Sequence, residues 1–287
     1  VYDMLNLFKI ISLSITSLFF VSSNAFALNA SSMTVCSSTG NVIDAASGGD
    51  LGYCRFTPLK YEVAIFEMGV CTANPLTGNN FDRTICSSTF TASDTTNGFV
   101  YDMVNALDGT VELTGTSTKP AVGTYSFPYV IISNTVTVRG EFTNGGTTHY
   151  GLANGTVDQS GPSADNVSAL ITFGPNTACD GEYLGATASN GTINAYLTNT
   201  TLTKRLSSDY VGSGSDGCVS ADTKRLVGVM NLDTPISITN NTINFKFTFN
   251  IRNFGTQFIE TGGNNVPDLI SQGPFGGFFE TVEGAPQ

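Results

Sequence analysis

The ten residues INFKFTFNIR, from Ile243 to Arg252, alternate apolar and polar without a break. Ile243, Phe245, Phe247, Phe249 and Ile251 share one side, and Asn244, Lys246, Thr248, Asn250 and Arg252 the other. A period of two marks a β-strand with one face in a core and one in water, because successive Cβ atoms leave opposite sides of an extended backbone. Less regular runs of the same kind cover residues 61–68, 99–104, 129–142, 167–173, 193–197 and 226–230. Turn-forming clusters separate them, among them Asn144 with Gly145 and Gly146, Asn190 with Gly191, and Asn240 with Asn241. Many strands joined by short, turn-rich connections predict an all-β chain, an antiparallel β-sandwich or barrel-like domain. Helix is expected in two short turns at most. One is 102–107 and the other 266–270, where Pro267 suits a first helical position.

The amino end has a different texture. Lys9 precedes an apolar run from Ile10 to Val21, lightened by Ser12, Ser14 and Ser17, and the small-residue triplet Ala25, Phe26, Ala27 follows. That layout predicts a secretory signal peptide over residues 1–27, cut after Ala27. The run is shorter than the roughly 20 apolar residues that span a bilayer. Cys36 lies too far behind it to carry a lipid anchor. Residues 28–287 are therefore read as one exported β-rich domain, with a sub-domain seam allowed near residues 160–165, where Gly161 and Pro162 interrupt a polar stretch. The destination is secreted, periplasmic or cell-surface, with no membrane insertion after the signal is removed.

Composition narrows the partners. The net charge is −11, yet only 12% of residues are charged. A surface of that sign repels nucleic acid, whose phosphates need clustered Lys and Arg. Polarity is carried instead by Thr, Ser, Asn and Gly, which suit turns and exposed strand faces. Six cysteines all lie beyond the signal, and in an exported chain an even number reads as disulfides. Six allow 15 pairings, and proximity favours Cys36 with Cys54, Cys71 with Cys86, and Cys179 with Cys218. No two cysteines have zinc-ligand spacing, and the sole histidine, His149, is far from all six.

Catalytic constellations are scarce. His149 is the only base a serine triad could use, and its place after a turn cluster reads as an exposed strand position; no Ser sits in a Gly-x-Ser-x-Gly elbow. Two carboxylates would suffice for glycoside hydrolysis. Glu62 and Glu67 share a strand, but their odd spacing predicts opposite faces. Glu112, Glu141, Glu182 and Glu260 fall in separate segments, and the chain has no Trp to stack on sugar rings. Gly212, Gly214 and Gly217 match dinucleotide-loop spacing without a strand–helix context, so they read as a surface loop. No cofactor is expected, with calcium the one ligand the sequence allows. Pairing of Cys179 with Cys218 would gather Asp180, Glu182, Asp209, Asp216 and Asp222, an oxygen-rich set suited to a hard cation.

The carboxyl end carries Pro274, Phe275, Gly276, Gly277, Phe278 and Phe279. This stretch either closes the chain's own core or pairs with a neighbouring subunit, itself or another surface protein, through a free strand edge. The resulting expectation is an exported, non-enzymatic surface or extracellular structural protein: a fibre, coat or adhesion subunit. The alternatives are a ligand-binding module for carbohydrate or divalent cation, and a carboxylate-dependent glycoside hydrolase or lyase.

Overall fold

The computed structural model describes residues 12–14, 34–43, 52–107, 109–170, 182–188, 191–205, 223–273 and 276–284. They form 22 strands in five sheets and two 3-10 turns, Arg83–Ile85 and Met103–Ala106, with no α-helix among the described residues. The second turn falls where helix was expected, started by Asp102, whose carboxylate accepts the Val104 and Tyr61 N–H groups. The other expectation is corrected. Residues 269–272 are a strand, because they find antiparallel partners on 256–259 and Pro267 stands in the connecting loop.

The largest sheet has nine strands. Its order is β15 (Glu182–Ala188), β16 (Gly191–Thr198), β17 (Arg225–Leu232), β10 (Phe127–Arg139), β4 (Lys60–Cys71), β5 (Cys86–Ala92) and β8 (Gly115–Ser117). A further two, β14 (Asn166–Ala169) and β6 (Phe99–Asp102), pair with β10 and β4. Facing it is a sheet of four: β22 (Gly276–Glu283), β19 (Thr242–Asn250), β1 (Ser12–Ser14) and β7 (Thr110–Glu112). The two pack as a sandwich over one apolar core, into which Phe245, Phe247, Phe249 and Phe279 reach from one side and Tyr61, Val63, Ile65 and Ile132 from the other. Each phenyl so buried stabilises the fold by roughly 1.5–3 kcal/mol. Ile243 stays exposed because a register shift between Thr242 and Asn244 lifts it out of the alternation. The glycine-aromatic end closes the chain's own sandwich: β22 pairs along β19, and Phe279 sits 4.7 Å from Phe247.

The central strands β4 and β10 are both bent. Ile131 pairs with Glu67 but Ile132 with Ile65, so Phe66 is an extra residue in β4; Val136 next pairs with Val63, so β10 bulges over 133–135. At the same level β4 exchanges β5 for β6 and β10 exchanges β17 for β14 as outer neighbour. A bulge adds one unpaired residue and reverses side-chain parity beyond it. Tyr61, Val63 and Ile65 therefore share the core face with Met68 and Val70.

Smaller sheets complete the molecule. β2 (Thr34–Val35), β3 (Gly52–Phe56), β20 (Thr256–Glu260) and β21 (Leu269–Gln272) form one, and β11 (Glu141–Asn144), β12 (Thr147–Gly151) and β13 (Val157–Asp158) another. Phe56, Phe258, Ile270 and the Cys36–Cys54 disulfide make a core of their own, with Phe142 and Val157 against it. A last pair joins β9 (Gly123–Tyr125) to β18 (Ile236–Ile238).

Candidate functional site

The best-built polar cluster lies on the outer face of the nine-stranded sheet. The parity reversal at Phe66 turns Glu67 away from the core, opposite Ile131 and next to Tyr129. Its carboxylate is buried. Arg83 donates through both terminal nitrogens, Nη1 to Oε1 at 2.7 Å and Nη2 to Oε2 at 2.9 Å, and the Tyr129 hydroxyl donates to Oε1 at 2.6 Å. Burial and the adjacent carboxylate push the Tyr129 hydroxyl up, and the hydrogen bond to Glu67 raises the Arg83 guanidinium. The carboxylate accepts three hydrogen bonds, two of them from one guanidinium fork, and so ties Arg83 and Tyr129 to β4. Gly69 makes room for it. A Cβ there would lie 2.4 Å from the Ser87 carbonyl and 2.6 Å from the Tyr129 ring.

The tie fastens a loop. Cys71 and Cys86 close residues 72–85 with an S–S bond of 2.04 Å, and Arg83 reaches Glu67 from inside that loop. Leu76 and Phe81 are buried beneath it, Phe81 edge-on to Tyr129 at 5.0 Å. Residues 199–205 dock alongside: Phe81 N–H donates to the Leu202 carbonyl, Lys204 N–H to the Asn79 carbonyl, and Thr203 Oγ1 to Asn80 Oδ1. The result is a pinned platform with Thr77, Gly78, Asn79 and Asn80 exposed at its tip. Amides and hydroxyls held this way can hydrogen-bond a partner without ordering a loop first.

The other half of the outer face carries an ion network. Lys60 Nζ lies 2.7 Å from Asp165 and 3.5 Å from Glu62, and Arg139 lies 3.5 Å from Asp165. The hydrogen bond to Asp165 is the main cause that holds the Lys60 ammonium above its usual value. Glu62 and Glu67 thus share a face, against the expectation of opposite faces, and the Phe66 bulge is the reason. They remain apart in role, one bound to Lys60 and the other to Arg83. Glu112, Glu141 and Glu260 lie in three different sheets.

His149 corrects a second expectation. It is only 4% exposed, packed edge-on to Phe258 at 6.4 Å in the small core, with Nδ1 unpartnered. Burial lowers its pKa and favours the neutral ring.

Two of the three expected disulfides are present, Cys36–Cys54 and Cys71–Cys86. Cys179 and Cys218 lie outside the described residues, as do Asp180, Asp209, Asp216 and Asp222 of the calcium set and the glycine loop Gly212, Gly214, Gly217. Glu182 opens β15 with its backbone opposite Tyr196. Among the described residues no group of three or more His, Cys, Asp or Glu side chains could hold a metal. No helix among them is long and apolar enough to cross a membrane.

Strand edges are the remaining feature. β22 and β18 each end their sheet, so each has one edge without a strand partner among the described residues. An open groove of about 870 Å³ runs between them, lined by Ile236, Ser237, Thr239, Phe279, Thr281 and Glu283. Glu283 accepts the Thr242 hydroxyl at 2.5 Å and the Thr239 hydroxyl at 2.7 Å, which hold its carboxyl below the usual range. The spacing of Cys71 and Cys86 marks the platform's loop in the sequence as a disulfide-closed loop, with Gly78 and Asn79 at its turn; the Glu67 cluster and the groove carry no such signal, since each joins segments apart along the chain. Comparison with protein-family models, curated proteins and solved structures finds no match.

Proposed function

We propose that the chain is an exported, non-enzymatic structural subunit of a surface or extracellular assembly, such as a fibre, coat or adhesion layer. Its leader, residues 1–27, directs it out of the cytosol and is removed. The two disulfides support maturation in an oxidising compartment. The observation that carries the reading is the open edge of β22 beside the groove toward β18. An unpaired strand edge is a template for pairing with another chain. The pinned platform on the opposite sheet supports it as a second rigid contact surface. The two best-placed charged groups, Glu67 and Arg83, are spent on holding that platform.

The mature protein, purified after secretion, is expected to form oligomers by size-exclusion chromatography with light scattering, with ordered particles in negative stain. Cell fractionation should find it retained at the surface. A strictly monomeric protein released freely into the medium would overturn the reading.

A further inference from the structure

The hairpin that joins β11 to β12 turns through Gly145 and Gly146, both left-handed at φ +53° and +89°, as a two-residue turn between twisted strands requires. Asn144 stands just before them, half-buried, while both glycines are exposed. Asn followed by Gly is chemically labile, because no side chain on the glycine hinders its backbone nitrogen from reaching the Asn side-chain carbonyl carbon. An added Cβ at Gly145 would meet no atom within 4 Å, so the turn is open to water. Both reacting groups are nevertheless held. Asn144 Nδ2 donates to the Ser37 carbonyl at 2.6 Å, and Gly145 N–H donates to the Ser38 carbonyl at 3.1 Å. Ser37 is 107 residues from Asn144 along the chain. It directly follows Cys36, which is fixed to β3 by its disulfide to Cys54 and by its N–H bond to the Arg55 carbonyl.

We propose that Asn144–Gly145 is a deamidation site guarded by the Cys36–Cys54 disulfide, and that a thiol reductant which opens the disulfide releases it. The reductant gives up two electrons and is itself oxidised to a disulfide, while the S–S bond becomes two thiols. Ser37 and Ser38 are then held only by the two-residue strand β2, by the Cys36 N–H bond to Arg55, by the Ser37 N–H bond to the Val42 carbonyl and by the burial of Val42 and Ile43. Once their carbonyls leave, the Gly145 nitrogen loses its proton to hydroxide and bonds to Asn144 Cγ. The Cγ–Nδ2 bond breaks and ammonia departs. Water opens the resulting imide at one carbonyl or the other, leaving aspartate or isoaspartate. The change does not reverse. The product carries a carboxylate where the Nδ2 donor was, facing the Ser37 carbonyl with no proton to share. Reoxidation restores the disulfide but not the docking, so the hairpin keeps a record that the staple was opened. This inference is independent of the assembly reading. Two other Asn-Gly pairs supply the contrast. Gly98 N–H donates to the Asp94 carbonyl and Asn97 Nδ2 to Asp94 Oδ2, while Gly155 N–H donates to the Leu152 carbonyl and Asn154 Oδ1 accepts from Thr156. Those holds are local, and no disulfide governs them.

The test incubates the oxidised wild-type protein and Cys36→Ala/Cys54→Ala in mildly alkaline buffer. Peptide mass mapping follows Asn97, Asn144 and Asn154, where ammonia lost and water gained mark the reaction. Wild-type Asn144 is expected to react at least roughly tenfold more slowly than the same residue in a synthetic peptide spanning Phe142–Thr148. In the variant Asn144 should accelerate at least roughly tenfold, while Asn97 and Asn154 keep their wild-type rates. Should that variant misfold, Ile43→Ala takes its place under the same comparison. It keeps the disulfide and unseats the same segment from the small core, where Ile43 is buried. Wild-type Asn144 reacting as fast as the peptide overturns the guard. Asn144 unchanged in a folded variant, or accelerated no more than Asn97 and Asn154, overturns the control by Ser37 and Ser38.

Discussion

Glu67 and Arg83 form an asymmetric pair, the carboxylate buried and the guanidinium half-exposed. Removing the partner of a buried charge costs more than the pair contributes, because the remaining charge has lost its water and its counterion. Arg83→Met is therefore expected to destabilise by about 2–3 kcal/mol in urea denaturation, and Glu67→Met/Arg83→Met together by less than Arg83→Met alone. A cost under about 0.5 kcal/mol for Arg83→Met would make the pair an ordinary surface contact. His149 gives a pH dependence of defined sign. Its folded pKa lies below the usual 6.5, so the unfolded chain binds the proton more readily. Stability from the neutral ring is full above about pH 6.5 and falls as pH drops toward the folded value. His149→Phe, keeping an aromatic ring beside Phe258, should flatten the unfolding midpoint between pH 7 and pH 5. An unchanged slope in that window would remove His149 as its source.

At the scale of elements, the Cys71–Cys86 loop is the clearest case of local sequence acting alone. The two cysteines are 15 residues apart, and a loop of that size is stabilised by about 3 kcal/mol in the chain-entropy account. Cys71→Ala/Cys86→Ala should lose about that much and open residues 72–85 to limited proteolysis. A loop that stays resistant would mean that Arg83 and Phe81 suffice to hold it. Proximity made this pairing legible from sequence, and alternation did the same for Phe245, Phe247 and Phe249. What alternation concealed was the bulge. Phe66 carries no residue signal that sets it apart from its neighbours, and the reversed faces of β4 follow from how β5, β6, β14 and β17 divide the two central strands. His149 was misread for a related reason: its burial comes from Phe258, on a strand more than a hundred residues away in sequence. Residues 266–270 have a plausible helix start in Pro267, but pairing with β20 overrides that local preference.

The whole molecule contains cores that share few side chains. Phe258, fully buried, belongs to the small core with Phe56 and Ile270, whereas Phe249 belongs to the sandwich. Phe258→Ala is expected to cost about 3–5 kcal/mol, and hydrogen exchange should accelerate in β3, β20 and β21 while β4 and β10 stay protected. Equal acceleration in all of them would show one cooperative unit. The candidate site was legible only in part: the disulfide-closed loop between Cys71 and Cys86 was readable, but Glu67, the segment 199–205 docked beside the loop and the groove are brought together only by the fold. The sheet that joins β3 to β20 also has a consequence in time. Thr57 and Asn253, bonded at its margin, are 196 residues apart. In a chain that crosses a membrane amino end first, Cys36 and Cys54 emerge and can oxidise long before β20 arrives. On the proposed export reading, the small sheet would be a late-closing clasp: its first half stapled as a template while the rest of the chain is in transit, and completed only when translocation is nearly finished.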